Sequence, residues 1–250
     1  MLYAMAKKGV VMTNLFLLAA LLAVPALAAD PTVEQVLQKY DGIMGPTSFE
    51  AETQMTATRE DGSSRTYVMK MLKKDNDKFR IWFSEPSSVK GQEVLRNGDN
   101  LWVYIPNLKR ATRIANRDSF QGGDFNNADV LRVNYQADYN GKLIASDVED
   151  TYCVELKAKN AETAYDSIKL WVRKADLQPV KGHYFGTSGQ LIRSAAFSEY
   201  QEFEKGYTRP AKVVMQNELV KARKTELRTK GMTLKVDVPV QRFSQSDLGK

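Results

Sequence analysis

The sequence predicts a mostly β (α+β) protein: a curved antiparallel sheet of about ten or eleven strands, forming an open half-barrel with a few helices as plug or lid. Three observations lead there. From Phe49 onward apolar and polar residues alternate with period two, and the strand-like segments are joined by short turns. Several of those segments are apolar on both sides, yet the chain offers few helices to cover them.

The first residues have the parts of an export signal: Lys7 and Lys8, the uncharged run Leu15 to Val24, then Pro25-Ala26-Leu27-Ala28. Cleavage is expected after Ala28, giving a signal peptide over 1–28 and a single domain over 29–250. An uncleaved anchor is the competing reading, but the apolar run is shorter than the roughly 20 residues a bilayer span requires. No cysteine stands at the new end left by the cut, so a soluble protein without a lipid anchor is expected outside the cytoplasm. Removing the signal lowers the formal charge of +6 to about +4, a weak pull toward anionic partners. No nucleic-acid partner is expected in that location.

One amphipathic helix follows, with Val33, Val36, Leu37, Tyr40 and Met44 on one face behind Pro31-Thr32. Phe49 to Ala57 then alternates as a half-buried strand. Asp61-Gly62-Ser63-Ser64 turns the chain into Arg65 to Lys73, and Lys74-Asp75-Asn76-Asp77 turns it into Phe79 to Phe83. Across Asn97-Gly98-Asp99-Asn100, Gln92 to Arg96 pairs with Leu101 to Ile105, placing Leu95 opposite Trp102. Further strands are expected at Lys142 to Val148, Thr151 to Ala158, Ser167 to Arg173, Pro179 to Phe185, Gln190 to Tyr200, Ala211 to Asn217, Lys224 to Lys230 and Met232 to Val238. Only Asn127 to Tyr139 otherwise reads as helical.

Phe79 to Phe83 and Leu101 to Ile105 are apolar on both faces, so neither face there is fully solvated. One good helix and one poor one cannot cover so much sheet, and the sheet is therefore expected to curl on itself. Such a sheet encloses either a ligand cavity or an interior filled by side chains; the sequence pattern is the same for both.

Catalytic parts are missing. His183 is the one histidine and Cys153 the one cysteine, so zinc sites, histidine-dependent triads and an internal disulfide lack their components. Both read as strand residues, Cys153 as a buried structural thiol. Ser87-Ser88-Val89-Lys90 has the spacing of some serine acyl enzymes, but the companion motifs are absent. Asp124, Asn126 and Asp129 fit no calcium-loop template, and Asn126 or Asn127 capping the next helix explains them better. Glu202 and Glu204 read as solvated surface. No enzyme activity, cofactor or metal is expected.

The run Gly98 to Ile114, containing Trp102-Val103-Tyr104-Ile105-Pro106 and a basic stretch, followed by Ser119-Phe120-Gln121-Gly122-Gly123-Asp124-Phe125 with Asp129, resembles the bacterial outer membrane lipoprotein-sorting proteins, related to the LolA/LolB carriers. Phe83, Pro86, Lys90-Gly91 and Phe243 to Leu248 also fit, so the resemblance runs over nearly all of 29–250. It implies a half-barrel wrapped over helices, with a concavity that shields acyl chains of lipids or lipoproteins. It also implies the periplasm and, for many relatives, a link to RND or MMPL-type inner-membrane exporters.

Within that frame the expected cavity-lining residues are Met55, Met69, Met71, Ile81, Phe83, Leu101, Val103 and Ile105, with Phe120, Phe125 and Leu131 as lid or rim. Ordinary core packing is the alternative for each of them. Trp82, Trp102 and Tyr104 point the other way, and the sequence leaves open which face is concave. Lys109, Arg110, Arg113 and Arg117 are the candidates for contact with lipid headgroups or an exporter's acidic face, against a plain solvated turn.

Overall fold

Period-two patterning over most of the chain yields thirteen strands in one antiparallel sheet in the computed structural model, which describes residues 30–161 and 163–250. The expected export signal lies outside the described residues. Helix α1 (Val33–Met44) opens the compact unit Pro31–Lys250. Its start is fixed by a capping box, in which Thr32 Oγ1 accepts from the Gln35 amide and Gln35 Oε1 accepts from the Thr32 amide. Strands β1 (Ser48–Thr58), β2 (Ser64–Lys74), β3 (Lys78–Glu85), β4 (Glu93–Asn97), β5 (Asn100–Ile105) and β6 (Arg110–Ile114) form one meander. Short helices α2 (Asn127–Leu131) and α3 (Tyr135–Asp138) precede a second meander. It comprises β7 (Tyr139–Ile144), β8 (Thr151–Ala158), β9 (Ser167–Arg173), β10 (Pro179–Phe185), β11 (Leu191–Glu204), β12 (Tyr207–Asn217) and β13 (Lys224–Leu234).

Pairing of β1 with β13 joins the two meanders, giving the order β6-β5-β4-β3-β2-β1-β13-β12-β11-β10-β9-β8-β7. The two edges, β6 and β7, are therefore consecutive in the chain. Residues 115–138 must travel from one edge to the other, and they do so over one face: Phe120, Phe125, Val130, Leu131 and Tyr135 share the main core with α1 and the inward side chains of the sheet. The fold is a half-barrel, not closed into a barrel, with α1 and this crossover lying in its hollow.

The thirteen strands differ from the expected set at identifiable places. Arg110–Ile114, expected only as a basic stretch, pairs along β5 as an edge strand. Lys224–Leu234 is one strand where two were expected, because its register against β1 shifts between Glu52 and Thr53 and the strand runs on through that bulge. The strand expected from Lys142 instead spans Tyr139–Ile144. Leu95 does lie opposite Trp102. The helical stretch expected over Asn127 to Tyr139 is broken at Arg132–Asn134, where Asn134 leaves helical geometry and its side chain accepts from the Ala137 amide to start α3.

The doubly apolar strands have a different explanation from the one the face count suggested. The concave face carries Met69, Ile81, Phe83 and Leu101, under α1 and the crossover. The convex face of β2–β6 carries Leu72, Leu95, Trp82, Trp102 and Tyr104, and the C-terminal segment covers it with Val238, Phe243 and Leu248. Curling covers one face; the tail covers the other. Arg80, fully buried on the convex side, anchors the tail: it bonds Glu93 Oε2 at 2.7 Å, the carbonyl of Arg242 at 2.6 Å and Asp247 Oδ2 at 2.5 Å.

Candidate functional site

Inward positions of β1, β2, β12 and β13 meet α1 and the crossover around an internal cavity of about 70 Å³. Its walls are Phe49, Ala51 and Met71 from the first meander, Phe197, Val213, Met215 and Leu227 from the second, and Tyr40 and Met44 from α1. The crossover closes it with Phe125, Val130, Leu131, Val133 and Tyr135. The space is far below the ~300 Å³ or more of a drug-sized ligand site. The hollow is thus largely filled by its own side chains, and most of the filling comes from α1 and the crossover.

Local sequence explains how the crossover enters the hollow. Ser119 and Asn126 form a β-bridge, the Phe120 amide donates to the Phe125 carbonyl at 2.8 Å, and Gln121 and Gly122 take positive φ between them. This tight loop turns both Phe120 and Phe125 inward. Asn126 then caps α2, with Asp129 Oδ2 accepting from its amide at 2.7 Å. Two polar anchors hold the segment to the second meander. Asp124 is buried, accepts from Thr225 Oγ1 and Asn217 Nδ2, each at 3.0 Å, and donates its amide to Thr225 Oγ1 at 2.8 Å. Arg193 donates to Asn126 Oδ1 and to the Tyr165 hydroxyl, which itself donates to Asp129 Oδ2 at 2.7 Å. Burial pushes the Asp129 carboxyl up, against the lowering effects of the Asn126 amide, Tyr165 and Arg193.

Of the eight strand residues expected to line a cavity, Met71 borders it. Met55, Met69, Ile81, Phe83 and Leu101 are buried in the continuous core beside it, and Val103 packs on that core partly exposed. Ile105 is half-buried near the far end of β5, outside both apolar clusters. Among the lid residues, Phe125 and Leu131 border the cavity, while Phe120 stacks at a tilt on Phe83 with 6.0 Å between ring centroids. Trp82, Trp102 and Tyr104 lie on the convex face with the tail.

The basic stretch is exposed throughout. Register divides it: Arg110 lies opposite Ile105, while Arg113 lies opposite Trp102 and donates to Asn100. Successive strand residues face opposite sides, so Arg110 and Arg113 do not form one patch. Arg117, in the crossover, donates to the Thr163 carbonyl at 2.7 Å.

Reading the sequence for methionines and aromatics missed the charged residues of the cavity, Asp129 and the two cations Lys73 and Arg209. The cations carry the clearer signal. Each stands on an inward stripe, Tyr67-Met69-Met71-Lys73 and Arg209-Ala211-Val213-Met215, where a long cation among apolar neighbours is the visible signal. Lys73 Nζ donates to the Gly45 carbonyl at 2.7 Å. Cys153 is buried on the convex face, and burial pushes its thiol up to about 11. His183 lies edge-on to Trp171, at 4.9 Å between centroids. No group of acids, histidines and cysteines poised to hold a metal occurs among the described residues.

A family model described as "Uncharacterized protein" matches residues 75–250. The chain is similar to a LolA superfamily protein from Nitrosomonas europaea, at 26% identity and a TM-score of 0.78, over 87% of this chain and 100% of that one. An outer membrane lipoprotein-sorting protein domain from Vibrio parahaemolyticus shares the fold at 21% identity and a TM-score of 0.74, over 87% of this chain and 96% of that one. So does a DUF1329 family protein from Desulfovibrio piger, at 23% identity and a TM-score of 0.78, over 88% of this chain and 100% of that one. No curated protein matches the chain in sequence.

Proposed function

From the premise that this chain belongs to the family whose model matches residues 75–250 and is similar to a LolA superfamily protein over that protein's whole length, we propose that it is a non-enzymatic periplasmic carrier that takes acyl chains of lipids or lipoproteins into the hollow of its half-barrel. The observation that carries this reading is the crossover. A segment joining the two free edges of an open sheet, and filling the hollow with Phe125, Val130 and Leu131, is a plug that a guest can replace without disturbing any strand pairing.

Magnitudes favour an exchange close to balance. Each methylene moved from water into an apolar site gains about 0.8 kcal/mol, so roughly a dozen supply about 10 kcal/mol. Uncovering three plug side chains costs about 1.5–3 kcal/mol each. The small cavity is thus the closed form of the carrier, and a guest is released when the plug returns. No helix among the described residues is long and apolar enough to cross a membrane. The lining is mostly apolar, with Lys73, Arg209 and Asp129 as its charged members, which suits binding of an amphiphile.

Native mass spectrometry of protein purified gently from periplasm, with analysis of the released lipid, tests the proposal. Retained or accepted acyl ligand is the expected result; a folded chain that never carries one contradicts it. A second reading draws on the same filled interior: an accessory or sensor module that docks on an RND or MMPL-type exporter and keeps its hollow closed. Capture of such an exporter by lipid-free protein, with no acyl ligand under any condition, would select it.

A further inference from the structure

The cavity holds a charge imbalance that packing does not explain. Lys73 is 4% exposed and Arg209 is 8% exposed, and both border the same small space, whose mostly apolar lining holds one acid, Asp129. Among the described residues, neither has a carboxylate within ion-pair distance. Lys73 has the Gly45 carbonyl. Arg209 has the Tyr207 hydroxyl and, at 3.9 Å, the Met232 sulfur, while its Nε–H has no partner. The two acids closest to this arrangement are occupied. Asp41 accepts the amides of Tyr135 and Gln136 at 2.8 and 2.9 Å, and Asp129 accepts from Asn126 and Tyr165 on the side of Arg193.

A structural role accounts for part of this. Gly45 is the C-cap of α1, whose last turn has no basic residue of its own, and the Tyr207 hydroxyl donates to the Ile43 carbonyl at 2.6 Å. Lys73 and Arg209 therefore face the negative end of a helix. That end is worth about half an elementary charge at most, against two buried cations, and it leaves the Arg209 Nε–H unmet. Burying a charge without a counter-charge is costly unless a partner arrives.

The geometry points to an anion-binding pocket between Lys73 and Arg209 that receives the negatively charged head of an acyl amphiphile, a carboxylate or a phosphate, with the chain running into the space the plug vacates. This inference rests on the carrier reading and names the class of its cargo. The space beside the two cations, about 70 Å³, accommodates a group as small as a carboxylate or a single phosphate. Gly45 marks where the head would sit: a Cβ there would lie 2.8 Å from the Val133 carbonyl, so α1 and the crossover meet at this end of the cavity, beside Lys73 Nζ. An anion there would contact both elements that close the hollow.

Equilibrium dialysis of the full chain with three amphiphiles of one chain length, palmitate, hexadecyl phosphate and hexadecanol, tests the inference. At least one acid should bind about tenfold or more tighter than the alcohol, as expected for hydrogen bonds to charged groups. The acid that binds better identifies the source, a fatty acid or a phosphate-bearing lipid. Arg209→Met and Lys73→Met should each remove most of that preference while leaving hexadecanol binding within about threefold, and Arg209→Lys should retain it. Thermal unfolding checks that each variant is folded, and either Met variant suffices if the other is not. Equal binding of acids and alcohol, or a preference that survives in a folded Met variant, overturns the anion pocket and leaves the carrier reading intact. Failure of all three to bind overturns both.

Discussion

Arg80 Nη1 lies 2.5 Å from Asp247 Oδ2, joining β3 to the last residues of the chain. Because Arg80 is completely buried and also pairs with Glu93, removing it strands an acid that is itself 4% exposed. Breaking one partner of a buried pair costs about 3–5 kcal/mol. Arg80→Met should lose that much in urea unfolding, and Arg80→Met with Glu93→Leu should recover a large part of it. A single variant within about 1 kcal/mol of wild type would mean the tail is held by its apolar contacts alone.

Lys73 gives stability a signature in alkaline solution. Burial, reinforced by Arg96 and Arg209 and opposed by Asp41, pushes its ammonium from 10.5 down to about 8. Between those values the unfolded chain binds a proton that the folded protein does not, so stability contributed by this group rises with pH, by about 3 kcal/mol across the window. Lys73→Met, which removes the buried charge at the loss of one hydrogen bond to Gly45, should match or exceed wild type at pH 7. Its advantage should shrink toward pH 10. Denaturant melts of both proteins at several pH values measure this, and a difference independent of pH would show that the lysine is not charged against its surroundings.

Asp124 anchors the crossover to β12 and β13. Asp124→Ala leaves the fully buried Thr225 hydroxyl and the Asn217 amide without their acceptor, at about 1–3 kcal/mol. If the plug must leave for a guest to enter, the variant should also take up a fluorescent acyl probe faster than wild type. Stopped-flow mixing reads the rate; destabilisation with unchanged uptake would detach this anchor from the plug's motion.

Cys153 should be inert. Its burial and raised thiol predict no reaction with a disulfide reagent at pH 8 in the native state and prompt reaction in denaturant. Rapid native labelling would show that β8 opens locally.

The outline of the fold was legible because alternation is a local signal: Leu95 opposite Trp102, the capping role of Asn126 and the inward Phe120 and Phe125 all follow from residues near them in sequence. The cover of the convex face was not, since Phe243 and Leu248 reach β3 and β4 from the far end of the chain and carry no periodicity that announces a partner. Where the interior keeps open space was not legible. Ile81, Phe83 and Leu101 of β3 and β5 have the composition of a lining, yet they lie in the continuous core with the crossover, and a cavity opens nearer the centre of the sheet, where β1 pairs with β13. Lys73 and Arg209 were passed over because a cation on a strand is usually solvent-facing; only their parity with Met71 and Val213 distinguishes them.

Amide hydrogen exchange over residues 115–138, with and without a saturating acyl ligand, tests the plug account most directly. Ligand should accelerate exchange in this segment, releasing amides such as Phe120 and Asn127 that are bonded within it, while the strands keep their protection. A bound ligand that slows exchange there, or leaves it unchanged, would contradict a guest taking the plug's place.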